Sequence, residues 1–250
     1  NADNIHLQSS TLAIGAFSNG QIEINGNLTV EAKVAIEARG YATININPKK
    51  DKTVVLNGDI SFGTPNEEGG DAHNSGRLID AYVNINLSGE NSSWTGRSFQ
   101  EYKNNDGTEV ITSEIGKNKE YHGQVTGLSL SVSGGASINT TGDSFANVLN
   151  MDSGNLSLVA DSVLHTNDFI VAGESNTINF GNRANINGTI EDQGTLYMTG
   201  DVSSFTGVLN VMGKASVGLT AEEASETLNP MQGSVLVVKA GTTLNGSTSV

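Results

Sequence analysis

Cysteine is absent from these 250 residues, and proline occurs only 3 times. No disulfide can brace the fold, so backbone ladders and core packing have to hold it. The low proline count, beside 30 glycines, argues against flexible linkers and tails and assigns the glycine to tight turns. Aromatic residues make up 5% and apolar residues 36% of the chain, too few large rings for a thick core but enough for a narrow one running along an axis. No apolar run is long enough to form a transmembrane helix, and no signal peptide is present. The chain starts at Asn1 without Met, which reads as a processed or excised piece, so missing targeting signals do not place it in the cytoplasm.

Positive charge is also scarce. Lys and Arg number 13 against 27 Asp and Glu, a net charge of −14, and none lies between Gln124 and Asn182. Sequence-independent nucleic-acid binding needs clustered cations to neutralise phosphates, and adsorption to anionic membranes needs the same sign. Both are excluded as leading functions.

What the chain does contain is a recurring β rhythm. Runs of four to eight β-prone residues closed by Gly or Asn extend from end to end: Gln21–Ile24, Asn27–Val30, Lys33–Ile36, Ala42–Ile46, Thr53–Leu56 and Tyr82–Leu87. The pattern resumes at Gly127–Val132, Asn155–Val159, Thr177–Phe180, Gly207–Val211 and Ser234–Val238. Alternation of apolar and small polar residues is the period of a half-buried strand. Repetition on this scale means that each unit leaves its apolar face open until a neighbour stacks on it. A β-sandwich would show a similar strand spacing. Recurrent Asn, which can form stacked amide ladders, and the scarcity of two-residue hairpin turns favour a solenoid. The expected fold is all-β: a right-handed parallel β-helix, three-faced, with protruding loops, forming one body over residues 1–250.

The rhythm breaks in three places. Residues 63–76 are polar and turn-rich and read as a loop leaving the stack. Residues 97–123 hold most of the mid-chain charge, with the turn signal Asn105-Asp106-Gly107 at their centre, and read as a protruding hairpin. Residues 220–228 form the one convincing helical turn, with Thr220 as N-cap, acids in the first turn and Asn229-Pro230 as the stop.

One motif returns: Ser92-Ser93-Trp94-Thr95-Gly96 and Ser203-Ser204-Phe205-Thr206-Gly207. A strand, then Gly, then Ser-Ser-aromatic-Thr-Gly, then another strand resembles the stem repeats of pertactin-like autotransporter passenger domains, the type V secreted proteins of Gram-negative bacteria. The resemblance covers most of the chain as a style and these two segments as a motif. It implies a β-helix displayed on the bacterial surface or secreted, usually within an adhesin, self-associating protein, protease or toxin. It also implies that any membrane attachment is made by a β-barrel lying outside this chain.

Candidate chemistry is thin. Gly142-Asp143-Ser144 lacks the final glycine of the serine-protease motif, Met151-Asp152-Ser153-Gly154 is likewise incomplete, and His6, His73, His122 and His165 sit in no triad context. A polysaccharide-active β-helix would need a carboxylate cluster, for which Asp59, Asp80 and Glu90 with Arg77 and Arg97 are the candidates. Glu67, Glu68, Asp71 and His73 form no calcium-loop pattern, so neither metal nor cofactor is expected. Trp94 reads as a packing residue rather than a sugar platform. The expectation is a non-enzymatic adhesin that binds a host matrix protein, a glycan or a cell surface through its loops. Tyr102 and Tyr121 would serve as aromatic anchors, and Arg97, Lys103, Lys117 and Lys119 would make polar contacts. The alternatives are a self-associating or spacer stem, and a polysaccharide-active enzyme.

Overall fold

A chain with few large apolar residues buries them by stacking them in register. The computed structural model describes residues 3–63, 80–103, 108–114, 120–121 and 124–250. They form a parallel β-solenoid of about 9 turns. Its long ladders are parallel throughout, which rules out the antiparallel sandwich.

Each coil runs along a first face, turns onto a second and returns along a third. On the first face one inward column reads Leu7, Val30, Leu56, Trp94, Ile138, Leu156, Ile178, Met198 and Val217. On the third face the matching column is Ile24, Ile46, Ile85, Leu130, Leu149, Phe169, Ile190 and Leu209. The period of two sends each intervening residue outward. A slip of one residue would bury the polar set, so the pattern itself fixes the register.

The second face is built differently. Strands Asn4–Phe17, Asn27–Arg39 and Val54–Gly63 are long and pass from the first face onto the second through register shifts, near Ser9/Leu12 and Glu31/Val34. The runs Asn27–Val30 and Lys33–Ile36, separate in the sequence pattern, are therefore two arms of one bent strand. At this bend coils approach closely: a Cβ on Gly96 would lie 2.2 Å from the Gly58 carbonyl oxygen. Ser98 begins the next second-face strand, Ser98–Lys103, and its Oγ accepts the Phe145 N–H at 2.8 Å, tying that strand to the following coil.

Amide ladders run up the outer surface, with Asn84 Nδ2 donating to Asn45 Oδ1 at 2.9 Å and Asn27 Nδ2 to Asn4 Oδ1 at 3.0 Å. The helix α1 spans Ala221–Leu228 and starts at Thr220, whose hydroxyl accepts the Glu223 N–H while the Glu223 carboxylate accepts the Thr220 N–H. It lies on the outer side of the first face, where Ala224 and Leu228 are buried against Tyr197. The Lys214 ammonium donates to the Leu228 carbonyl at 3.1 Å, satisfying one of the acceptors at the helix end.

The two Ser-Ser-aromatic-Thr-Gly segments occupy different places. Ser93–Gly96 is a first-face strand, whereas Val202–Ser204 is a 3₁₀ turn and Phe205-Thr206-Gly207 leads into the third face at Val208. What recurs is local: both aromatics are buried, and the glycine two residues on makes a close backbone approach to the coil before it. The motif marks a tight corner, not a structural repeat.

Candidate functional site

The two long interruptions share one origin. Strand Val54–Gly63 ends on the second face, and so does its neighbour Ser98–Lys103, with Gly63 opposite Glu101. The chain returns from both at the start of the third face, at Tyr82 and Gly127, again paired neighbours. The described ends of both intervals therefore fall at the same corner of consecutive coils.

Part of the second interruption is seated on the solenoid. Strand Glu109–Thr112 pairs antiparallel with Ser98–Lys103, placing Gln100 opposite Thr112, Tyr102 opposite Val110 and Lys103 opposite Glu109. Tyr121 pairs with Gln124 in a second short antiparallel ladder. The turn at 104–107, Lys117 and Lys119 lie outside the described residues, as do the side chains of Tyr102, Lys103 and Tyr121. So do Glu67, Glu68, Asp71, His73, Arg77 and His122.

Arg97 stands at the root of this region. Its backbone N–H donates to Asp59 Oδ1 at 3.0 Å, its Nε lies 3.4 Å from Asp59 Oδ2, and its guanidinium carbon sits 4.8 Å from the Phe99 ring centroid. The Arg97 side chain is 43% exposed and that of Asp59 22%. The pair spans two coils and holds the guanidinium over an aromatic face, a cation–π arrangement.

The carboxylates considered for polysaccharide chemistry do not gather. Asp59 belongs to the bend between the first and second faces, Asp80 precedes strand Tyr82–Ser88, and Glu90 follows it. A strand of that length separates its ends by roughly 20 Å, beyond the spacing of a glycosidase carboxylate pair. Ser144 is buried, with its hydroxyl donating to the Gly142 carbonyl at 3.0 Å, and Asp143 Oδ1 accepts the Val163 N–H at 2.9 Å. His165 is pushed down chiefly by burial, partly opposed by Glu114 and Asp143, and its Nδ1 lies 3.2 Å from the Asn187 amide nitrogen. No group of three metal-ligating side chains occurs among the described residues. Trp94 is 1% exposed, so its ring offers no stacking platform.

Three further features emerge from the structure. A groove of about 500 Å³ lies at the corner of the first coils between Asp3, Glu23, Lys49, Asp51 and Lys52, where Lys52 already pairs with Asp51 at 3.3 Å. The second is a plain outer surface. Two outward columns of the first face, Val55, Ser93, Ser137, Asn155, Thr177 and Asn57, Thr95, Asn139, Ser157, Asn179, carry no charge in a chain of net −14.

The third is a buried acid. Asp192 is 0% exposed and stands in an inward column of the third face between Val171 and Val211. Its Oδ1 accepts the Gly194 N–H at 3.1 Å, and its Oδ2 has no partner. Burial pushes this carboxyl up to about 7, against a smaller opposing pull from the Gly194 amide. The signal was present in the alternation: counting by two from Ile190 turns Asp192 inward. Compared with known protein families, curated proteins and solved structures, the chain matches none.

Proposed function

We propose that this chain is a stem segment of a bacterial cell-surface autotransporter passenger that acts as a non-catalytic adhesin. The solenoid serves as a rigid rod, and contact with a host matrix protein, glycan or cell surface is made by the material at one of its corners. The observation that carries this reading is that the described ends of the two intervals, Gly63 beside Glu101 and Tyr82 beside Gly127, meet at one corner of consecutive coils. Non-repetitive sequence joined to the rod at one corner, with Arg97 at its root, would supply a single contact patch. Binding residues concentrate on loops held by a rigid scaffold. Replacing 104–123 with a short turn, and separately 64–79, should leave the solenoid's circular dichroism intact and abolish binding to immobilised matrix proteins, glycans or cells. Undiminished binding by both variants overturns the proposal.

A second reading, lateral self-association of rods, is favoured by the uncharged columns of the first face. Five neighbouring strands at roughly 4.8 Å spacing make a strip about 19 Å from first to last on which two acidic rods can meet without facing charges. Amide and hydroxyl side chains both donate and accept, so such a strip is complementary to a copy of itself. Mixed aggregates of differently labelled cells displaying the protein are the expected result. Cells that stay dispersed at full display sink this second reading.

A further inference from the structure

We propose that Asp192 is a pH-sensitive catch: protonated, it holds shut the corner between the third and first faces, and ionised, it loosens the chain from that corner to the C-terminus, α1 included. The column containing it reads Leu87, Val132, Met151, Val171, Asp192 and Val211, five apolar side chains and one acid. An ionised carboxylate there has one N–H to accept and an oxygen with no partner. Burying charge on such terms is costly, so the neutral form belongs to the closed corner.

The side chain has no easy way out. The Asp192 carbonyl accepts both the Met212 and the Gly213 N–H, at 2.7 and 3.0 Å, and the Gln193 N–H donates to the Val171 carbonyl at 2.8 Å. Glycines are stacked so closely beside it that a Cβ on Gly213 would lie 2.1 Å from the Gly194 carbonyl oxygen. Swinging the carboxylate to water therefore means breaking the bonds that place Met212 and Gly213, and with them strand Lys214–Val217 on which α1 rests.

Nearby charges are engaged elsewhere. Glu191 faces outward and accepts the Asn210 amide at 2.8 Å, Glu174 is exposed in the turn of the preceding coil, and the Lys214 ammonium is held by the Leu228 carbonyl. Burial and the Gly194 amide are the two influences on Asp192. Because the folded carboxyl sits above its unfolded value, the stability it confers is fully present below the ordinary carboxylate range and is lost as pH rises through about 7. The rod is thus tightened by acid near its C-terminal coils, whatever it binds.

Hydrogen exchange of the full chain between pH 5.5 and 8.5, corrected for intrinsic rates, tests this. Protection in residues 193–250 should fall by up to about tenfold per pH unit as pH rises to about 7, one proton being linked to opening, and level off above it. Residues 27–60 should stay flat. Asp192→Asn, close in shape and without charge, should remove the pH dependence. Asp192→Val, which continues the valine column, provides the same comparison if the Asn variant fails to fold. A wild-type profile that is flat with pH, or one shared by wild type and the folded variant, overturns the proposal.

Discussion

The indole N–H of Trp94 donates to the carbonyl of Gly58 at 3.0 Å, joining a core side chain to the backbone of the coil before it. The same ring stands in the inward column between Leu56 and Ile138. Trp94→Ala removes the largest buried side chain of the first face and leaves the Gly58 carbonyl without that donor. A loss of about 3–5 kcal/mol is expected, enough to unfold a marginal domain. Trp94→Phe keeps most of the ring and should cost about 1–2 kcal/mol, set mainly by the missing donor. Denaturant titration followed by circular dichroism measures both. Equal losses in the two variants would mean that the hydrogen bond, rather than the ring, dominates.

Two glycines separate two kinds of constraint. Gly96 meets the Gly58 carbonyl so closely that a methyl group has no room, while Gly89, at φ +82°, would have nothing within 4 Å of an added Cβ. Gly96→Ala must push coils apart and should cost about 1–3 kcal/mol or more. Gly89→Ala meets only backbone strain and should cost about 1 kcal/mol. Midpoints of thermal unfolding for the two proteins should order accordingly; the reverse order would refute the close-approach account of this corner.

Asp59 and Arg97 should also part company. Asp59 accepts a backbone N–H as well as the guanidinium, whereas the Arg97 side chain is partly exposed and contributes mainly through a screened ion pair. Arg97→Ala should change stability by less than about 1 kcal/mol. Asp59→Ala, which also strands the Arg97 N–H, should cost more. If the corner is the adhesive patch, Arg97→Ala lowers binding without moving the denaturation midpoint. Parallel binding and unfolding curves for the two proteins decide the matter.

A single cation placed on the uncharged strip tests self-association. Asn139 is outward, between Thr95 and Ser157 in register, so Asn139→Lys should fold normally. Facing copies of the strip would then bring like charges together, and aggregation of displaying cells should fall while monomer stability is unchanged. Clumping that persists at low salt, where repulsion is strongest, excludes the strip as the contact.

The first and third faces were legible in the sequence because flat strands keep a strict period of two. Tyr82–Leu87 and Gly127–Val132 appear in the structure as strands Tyr82–Ser88 and Gly127–Ser133. The helix at Ala221–Leu228 was legible from Thr220, Glu223 and Pro230. The second face was legible only as the run Lys33–Ile36, because its strands bend: around Ser9–Leu12 and Glu31–Val34 the alternation loses phase at the register shifts. Asp192 escaped for a different reason. An acid beside Gln193 and Gly194 has the composition of a turn, and only its phase relative to Ile190 marks it as interior. At the candidate contact patch, Arg97 was legible as a residue, but its tie to Asp59 was not, since the two lie one coil apart.

The corner that separates Gly63 from Tyr82, and Glu101 from Gly127, is closed one coil earlier by Gly40, Tyr41 and Ala42 alone, between strands ending at Arg39 and beginning at Thr43. The ladders on either side keep their register across this change of length. Segment length at that position is thus mechanically decoupled from coil stacking. A foreign peptide grafted there would be carried on the side of the rod without altering its pitch. The scaffold can exchange what it displays while the rest of the molecule goes on folding as before.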